Sequence, residues 1–364
     1  MKVALVHDHL NQVGGAEMVL DALIALYPEA PVYTLVYDKE AMGELFSGQE
    51  IRTSFLQLLP LSHKWLKWLL PLMPTATEMY NLSWADLVIS SSSAFSKGIV
   101  TRPETMHICY CHTPTRYLWT DSVSYVNAQK IPGFVKWVLP FVLTYLRLWD
   151  RAAADRVDYF VANSKTVAKR IKTYYRRDST VIYPPVAVDR YSIKEGEKTY
   201  FLAGGRLVDY KRIDLVIDVF NELGLPLKIF GDGPEVDALK ERAGNTIEFV
   251  GRVNEDQKVS LFENAIAYLH PQEEDFGITA VESMAAGRPV IAYAKGGATE
   301  TVVDGVTGVL FTEQTVAELK AAVVRVQSTA FNPQAIHAHA QQFSTEVFHK
   351  RMHEFVEQVC KPVA

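Results

Sequence analysis

Short apolar runs alternate along the chain with stretches whose apolar residues recur every three or four positions. The runs are rich in Val, Ile, Tyr and Phe and are bounded by Gly, Pro and Asp, which predicts buried strands. In the first half they fall at 2–8, 31–37, 86–92, 106–112, 158–164 and 180–185. In the second half they fall at 199–205, 226–231, 246–251, 265–270, 289–293 and 308–311. Between them, RIDLVIDVFNEL (212–223) and EDQKVSLFENA (255–265) show the helical period. This order predicts parallel sheets covered by helices on both faces, twice over. Two prolines and a charged, turn-like stretch after residue 183 mark a boundary. The expected α/β architecture is two Rossmann-like domains, 1–184 and 185–343, facing each other across a cleft. Residues 344–364 carry a last amphipathic helix.

Two segments complicate this picture. FLQLLPLSHKWLKWLLPLMP (55–74) and GFVKWVLPFVLTYLRLW (133–149) are apolar, aromatic and carry only basic charges. Both are too interrupted for a bilayer span, which needs about 20 apolar residues. The second is expected to pack into the core. For the first, core packing and a basic-aromatic face on anionic lipid headgroups both fit. The net charge of -5 argues against a general nucleic-acid binder. Cys109 and Cys111 are expected on opposite faces of one strand and Cys360 lies far off, so no disulfide framework follows. A strand that begins by residue 3 leaves no room for a signal peptide, and the protein is expected to work in the cytoplasm.

In doubly wound sheets, ligands sit beyond the carboxyl ends of the strands. Three such ends carry candidate chemistry. After the first strand, Gly14 and Gly15 precede a helix whose free N–H groups suit a phosphate, although a tight turn explains the pair equally. In LAGGRLVDYKRID (202–214), Arg206, Lys211 and Arg212 gather at a strand-to-helix loop. Cations there oppose the helix dipole, a cost that a bound diphosphate offsets. In EEDFGITAVE (273–282), Gly277, Ile278 and Thr279 offer N–H groups at a helix start. Glu282, one turn in, is placed to accept hydrogen bonds from vicinal hydroxyls, and Glu274 to lie beyond the phosphates, at a sugar. A favourable charge at a helix start accounts for Glu282 passably and for Glu274 poorly. In the first half, Asp8 and His9 are candidates to bind or deprotonate an acceptor hydroxyl, and Arg116 to bind an acceptor phosphate. A turn-forming Asp and a solvated His fit those positions equally.

The stretch HPQEEDFGITAVESMAAGRPVIAYAKGGATETVVDGVTGVLF resembles the E-x7-E region of retaining glycosyltransferases with the GT-B fold, family 4. GGRLVDYKRID resembles that family's diphosphate-binding loop. FGDGPE (230–235) and GGAE (14–17) match further landmarks, so the likeness spans the chain. CHTPTRYLW (111–119) and HDHL resemble the branch containing mannosyltransferases of bacterial surface-polysaccharide assembly. The resemblance implies that Arg206 and Lys211 hold a donor diphosphate while Glu282 binds the nucleotide ribose. It implies that Glu274 contacts the donor sugar and steadies positive charge as the glycosidic bond breaks. Backbone groups from Phe276 to Thr279 would touch the sugar and phosphates. His112 would contact the donor sugar or support the leaving oxygen, and the tail helix would cross back to the first domain.

The expected reaction is transfer of a hexosyl unit, mannosyl from GDP-mannose, to a saccharide hydroxyl with retention. The acceptor is expected to be lipid-linked, with residues 55–74 resting on the inner face of the membrane. The sequence holds no Asp-x-Asp pair, so cations and helix N-termini, with no metal and no other cofactor, are expected to hold the diphosphate. A retaining glycosidase places two carboxylates about 5 Å apart, one as nucleophile. With Glu282 assigned to the ribose no nucleophile is evident, so departure and attack on one face within an ion pair are expected. Two rivals remain: a nucleotide-sugar epimerase, and a catalytically silent sugar-nucleotide-binding subunit, against which intact Glu274, Arg206 and Lys211 argue. An NAD-dependent oxidoreductase does not, because VHDHLNQVGG lacks the G-x-G-x-x-G spacing.

Overall fold

The computed structural model describes residues 1–59, 66–120 and 133–360. The chain divides into two compact units, Met1–Tyr183 with His349–Ala364, and Pro184–Phe348. The first is built on strands β1 (Val3–His7), β2 (Val32–Thr34), β3 (Ile51–Thr53), β4 (Leu87–Ser92), β5 (Met106–Cys111), β6 (Tyr159–Ala162) and β7 (Ser179–Val181). All are parallel, in the order β3-β2-β1-β4-β5-β6-β7. The central strands are buried on both faces, which is why β1 reads as an apolar run and β4 opens on one, Leu87 to Ile89, before its three buried serines. Edge strand β3, with one apolar residue in three, gives no such signal.

Cys109 and Cys111, expected on opposite faces, stand two positions apart on β5 and therefore share one. Both are free thiols in one buried cluster with Ala154 and Phe160. Residues 55–74 do not form a single helix. Phe55–Leu58 and Leu66–Leu72 are 3₁₀ turns, followed by the short helix Met73–Glu78. Trp65 lies outside the described residues. The 133–149 segment belongs to one helix, Gly133–Asp155, which continues through Pro140. One face of it, with Leu143 and Leu146, packs into a cluster with Leu56, Leu70 and Met73. The opposite face leaves Trp137 73%, Phe141 64%, Tyr145 50% and Leu148 70% exposed. Spacings of four, four and three put these residues in one stripe, so core packing holds for one side only. Among the described residues, no helix is long and apolar enough to cross a membrane.

The last helix, Thr345–Cys360, groups with the first unit from His349 onward. His349 Nε2 donates to the Ala22 carbonyl at 3.0 Å, and Phe355 packs edge-on against Tyr159.

The second unit has β8 (Tyr200–Arg206), β9 (Leu227–Asp232), β10 (Ile247–Gly251), β11 (Ala265–His270), β12 (Val290–Tyr293) and β13 (Gly308–Phe311). They are parallel in the order β10-β9-β8-β11-β12-β13. Helix Ile213–Leu223 buries Ile213, Val216, Ile217 and Phe220 against this sheet and stops at Gly224, whose φ of 64° favours a residue without Cβ. In both sheets the chain reverses its order of laying down strands beside the first strand. That makes β1/β4 and β8/β11 the switch points where such folds bind ligands.

Candidate functional site

At the second unit's switch point, β8 ends on Arg206, which is exposed and makes no ion pair among the described residues. The 3₁₀ turn Asp209–Lys211 follows, and Arg212 takes a left-handed φ of 52° to lead into the next helix. This turn folds Lys211 back over the strand end, where it is buried. A Cβ added to Gly205 would lie 4.0 Å from its Nζ. Lys211 Nζ donates to Glu274 Oε1. Arg212 instead reaches Asp214, at 3.1 and 3.2 Å, so its charge is answered within the helix start.

Glu274 stands on the loop after β11, and a second loop shapes it. Gly297 donates its N–H to the Glu274 carbonyl at 2.8 Å. A Cβ on Gly297 would fall 2.3 Å from Phe276 Cα, and one on Gly296 2.2 Å from the Glu274 carbonyl oxygen. The glycine pair in AKGGATE was the signal for this contact, and the sequence reading assigned it no role. Gly297→Ala is expected to push the Glu274 loop outward and lower nucleotide-sugar affinity at least about tenfold. Calorimetry checks this; unchanged affinity would mean that the two loops act independently.

Burial would raise the Glu274 carboxyl, but the Lys211 ammonium, with His270 and Gln272, holds it below the usual range. His270 is fully buried; Gln272 donates to its Nδ1 at 3.0 Å, which leaves the ring proton on Nε2, 3.9 Å from Glu274 Oε2. Burial lowers its pKa to about 4, so the ring is neutral. Gly277, at φ 88°, opens helix Ile278–Ala285, whose first two residues, Ile278 and Thr279, are half-buried. The Phe276 ring packs edge-on against Phe343. Glu282 lies one turn into the helix, 8% exposed, and accepts from Lys258 at 2.9 Å. Its Oε2 is buried, and the carboxylate adjoins the Tyr191 hydroxyl, which burial and this charge push up. Each of the two glutamates thus carries a lysine.

At the first unit's switch point, His7 contacts Ser91 Oγ through Nδ1 at 3.0 Å and Glu17 through Nε2 at 3.3 Å. Ser91 Oγ also meets His112 Nε2 at 2.8 Å. Glu17 sits in the first turn of helix Gly15–Leu26, so this N-terminus, expected to take a phosphate at Gly15, already has a carboxylate of its own. Asp8, expected at an acceptor hydroxyl, accepts the backbone N–H groups of Ser93, Ala94, Phe95 and Ser96 at 2.6–2.8 Å. That fills a carboxylate's four lone-pair positions and leaves none for a substrate proton. His9 is half-buried, and its Nδ1 has no hydrogen-bond partner among the described residues. Arg116 is half-buried on the turn after β5. Asp150 pins that turn, accepting from Thr115 at 2.8 Å, Trp119 at 2.7 Å, Tyr175 at 2.8 Å and Lys97 at 2.5 Å. Among the described residues, no group of three His, Cys, Asp or Glu side chains is arranged to hold a metal.

Two family models tile the chain with hardly a gap. The model for Glycosyltransferase Family 4 matches residues 13–190, and that for Glycosyl transferases group 1 matches residues 188–342. The chain is a glycosyltransferase of the group 1/family 4 type. This glycosyltransferase is 24% identical over 334 residues to the uncharacterized glycosyltransferase MJ1178 of Methanocaldococcus jannaschii, covering 90% of this chain and 88% of that one. It is 23% identical over 379 residues to alpha-1,3/1,6-mannosyltransferase ALG2 of Dictyostelium discoideum, covering 85% and 86%. The crystal structure of Anabaena Alr3699/HepE in complex with UDP-glucose superposes with a TM-score of 0.72 at 19% identity, over 98% of this chain and 100% of that one. The glycosyltransferase therefore has the GT-B fold of two Rossmann-like α/β domains. Its sequence-named residues gather in two groups, Arg206, Lys211, Glu274 and Glu282 in one unit, and Asp8, His9 and His112 in the other.

Proposed function

We propose that this glycosyltransferase moves a hexosyl unit, mannosyl from GDP-mannose, to a saccharide hydroxyl with retention and without a metal. The observation that carries the reading is the Lys211–Glu274 pair at the end of β8, next to Arg206. An ammonium and a guanidinium stand where a diphosphate would leave, and a carboxylate where positive charge would develop on the sugar. The helix N-terminus at Gly277 adds N–H groups for the phosphates, and the Glu282 carboxylate, one turn into that helix, would accept from ribose hydroxyls. UDP-glucose in the HepE complex supports a nucleotide-sugar donor, and the ALG2 relative supports mannose. Titration calorimetry without metal, using GDP-mannose, GDP, UDP-glucose and UDP, tests this. Wild type should bind the GDP series and Arg206→Ala should lose it. Binding of the UDP series alone would replace the base, and no binding would overturn the reading. Turnover that is unchanged by a chelator and requires a saccharide acceptor separates transfer from epimerisation.

The acceptor is lipid-linked and reached from an anionic membrane surface. The support is the Trp137, Phe141, Tyr145 and Leu148 stripe, on a chain with no Asp or Glu from 122 to 149, together with half-exposed Trp68. Replacing Trp137, Phe141 and Leu148 with serine should cut sedimentation with anionic phospholipid vesicles more than about tenfold. Equal sedimentation would remove the membrane contact and leave the transfer reaction standing.

A further inference from the structure

Glu17, His7, Ser91 and His112 come from four elements and form one hydrogen-bonded chain. Its direction is set from one end. The Glu17 carboxylate has no proton to give, so His7 donates to it from Nε2, 3.3 Å away. A neutral His7 then offers only a lone pair at Nδ1, and the Ser91 hydroxyl donates into it at 3.0 Å. With that proton used, Ser91 Oγ accepts from His112 Nε2 at 2.8 Å. His112 is left with a bare Nδ1, which has no hydrogen-bond partner among the described residues.

We propose that Glu17 and His7 are positioning residues that hold His112 as its Nε2–H tautomer, so that Nδ1 accepts a hydrogen bond from a sugar hydroxyl. The ligand in this inference rests on the glycosyl-transfer reading; the tautomer does not. Burial lowers His112 to a pKa of about 4, and the ring is neutral, as a defined tautomer requires. Burial would raise Glu17, but its hydrogen bond to His7 keeps the carboxyl below its ordinary value. The other groups facing the chain are Asp8, already saturated by backbone N–H groups, His9, and the Tyr110 ring, 5.3 Å from His112. A second proton on His7 would reverse the chain. Ser91 would then donate to His112, and Nδ1 would become a donor.

The test uses full-length protein labelled with ¹⁵N in its histidine rings, observed by long-range ¹H–¹⁵N correlation with no substrate present. His112→Gln identifies the resonance. Wild type should show His112 as Nε2–H, and E17Q should show mixed tautomers or Nδ1–H. In parallel, kcat of E17Q should fall about ten- to hundredfold with a displaced pH profile and little change in donor KM. An Nδ1–H ring in wild type overturns the inference. So does an E17Q protein with both tautomer and pH profile unchanged. Should E17Q not fold, Ser91→Ala interrupts the chain one bond further on; loss of the single tautomer supports the inference and its retention overturns it. Failure to find any donor would sink the transfer reading while leaving the tautomer result to stand by itself.

Discussion

Glu274→Gln is expected to lose about 10²–10³-fold in turnover while still binding nucleotide sugar. The amide fills the same space and removes only the charge. Since Lys211 donates to Glu274 in this structure, the substitution also releases that ammonium, so donor affinity should hold or rise. Lys211→Met removes a cation from the proposed diphosphate site and should lower both affinity and turnover. Because the two groups act as a pair, the double variant should cost far less than the product of the single losses. Calorimetry and steady-state rates separate these cases. Full turnover by Glu274→Gln would end any role for this carboxylate. Lys211 and His270 hold the Glu274 pKa low against burial, so it stays ionised through the neutral and mildly acidic range. An acid limb in the rate therefore belongs to another group.

The second large effect concerns stability. Asp8→Asn should cost at least about 3 kcal/mol, because an amide oxygen satisfies part of the four N–H donors and the amide nitrogen faces the rest. At about 2–4 °C per kcal/mol for a domain of this size, the melting midpoint should drop by about 6–12 °C. Burial would raise the Asp8 carboxyl, but His9, His7 and the backbone donors bring it below its ordinary value. A depressed folded pKa means that stability is fully present above about pH 3.9, the unfolded value, and fades as pH falls through the folded one. Denaturation curves of wild type and variant should converge there. Equal stability at neutral pH would mean that the loop 93–96 does not depend on Asp8.

Much of this was legible because burial writes itself into the chain. Strands β1, β8 and β11 sit inside their sheets and read as apolar runs, as does the first half of β4, whereas β3, one apolar residue at an edge, is silent. The helix Gly133–Asp155 misled for the opposite reason: both of its faces are apolar, so nothing in its period says which one meets solvent. Among the site residues, positions at strand ends were readable and their partners were not. Lys211 finds Glu274 across 63 residues and Lys258 finds Glu282 across 24. No local pattern encodes those meetings. Asp8 shows the limit most clearly, since a carboxylate after a strand looks the same whether it waits for a ligand or ties down a loop.

The tail helix has a consequence for how the protein is made. Pro184–Phe348 is an insertion in the other unit, whose last piece, from His349, covers the Ala22 carbonyl and Tyr159. On the ribosome the inserted unit is complete and able to fold before the surrounding one has all its parts. Until the final residues leave the exit tunnel, the older half of the chain waits with a bare flank. A message cut short before residue 349 thus yields a finished second unit attached to an unfinished first one, a product that chaperones rather than substrates would meet first.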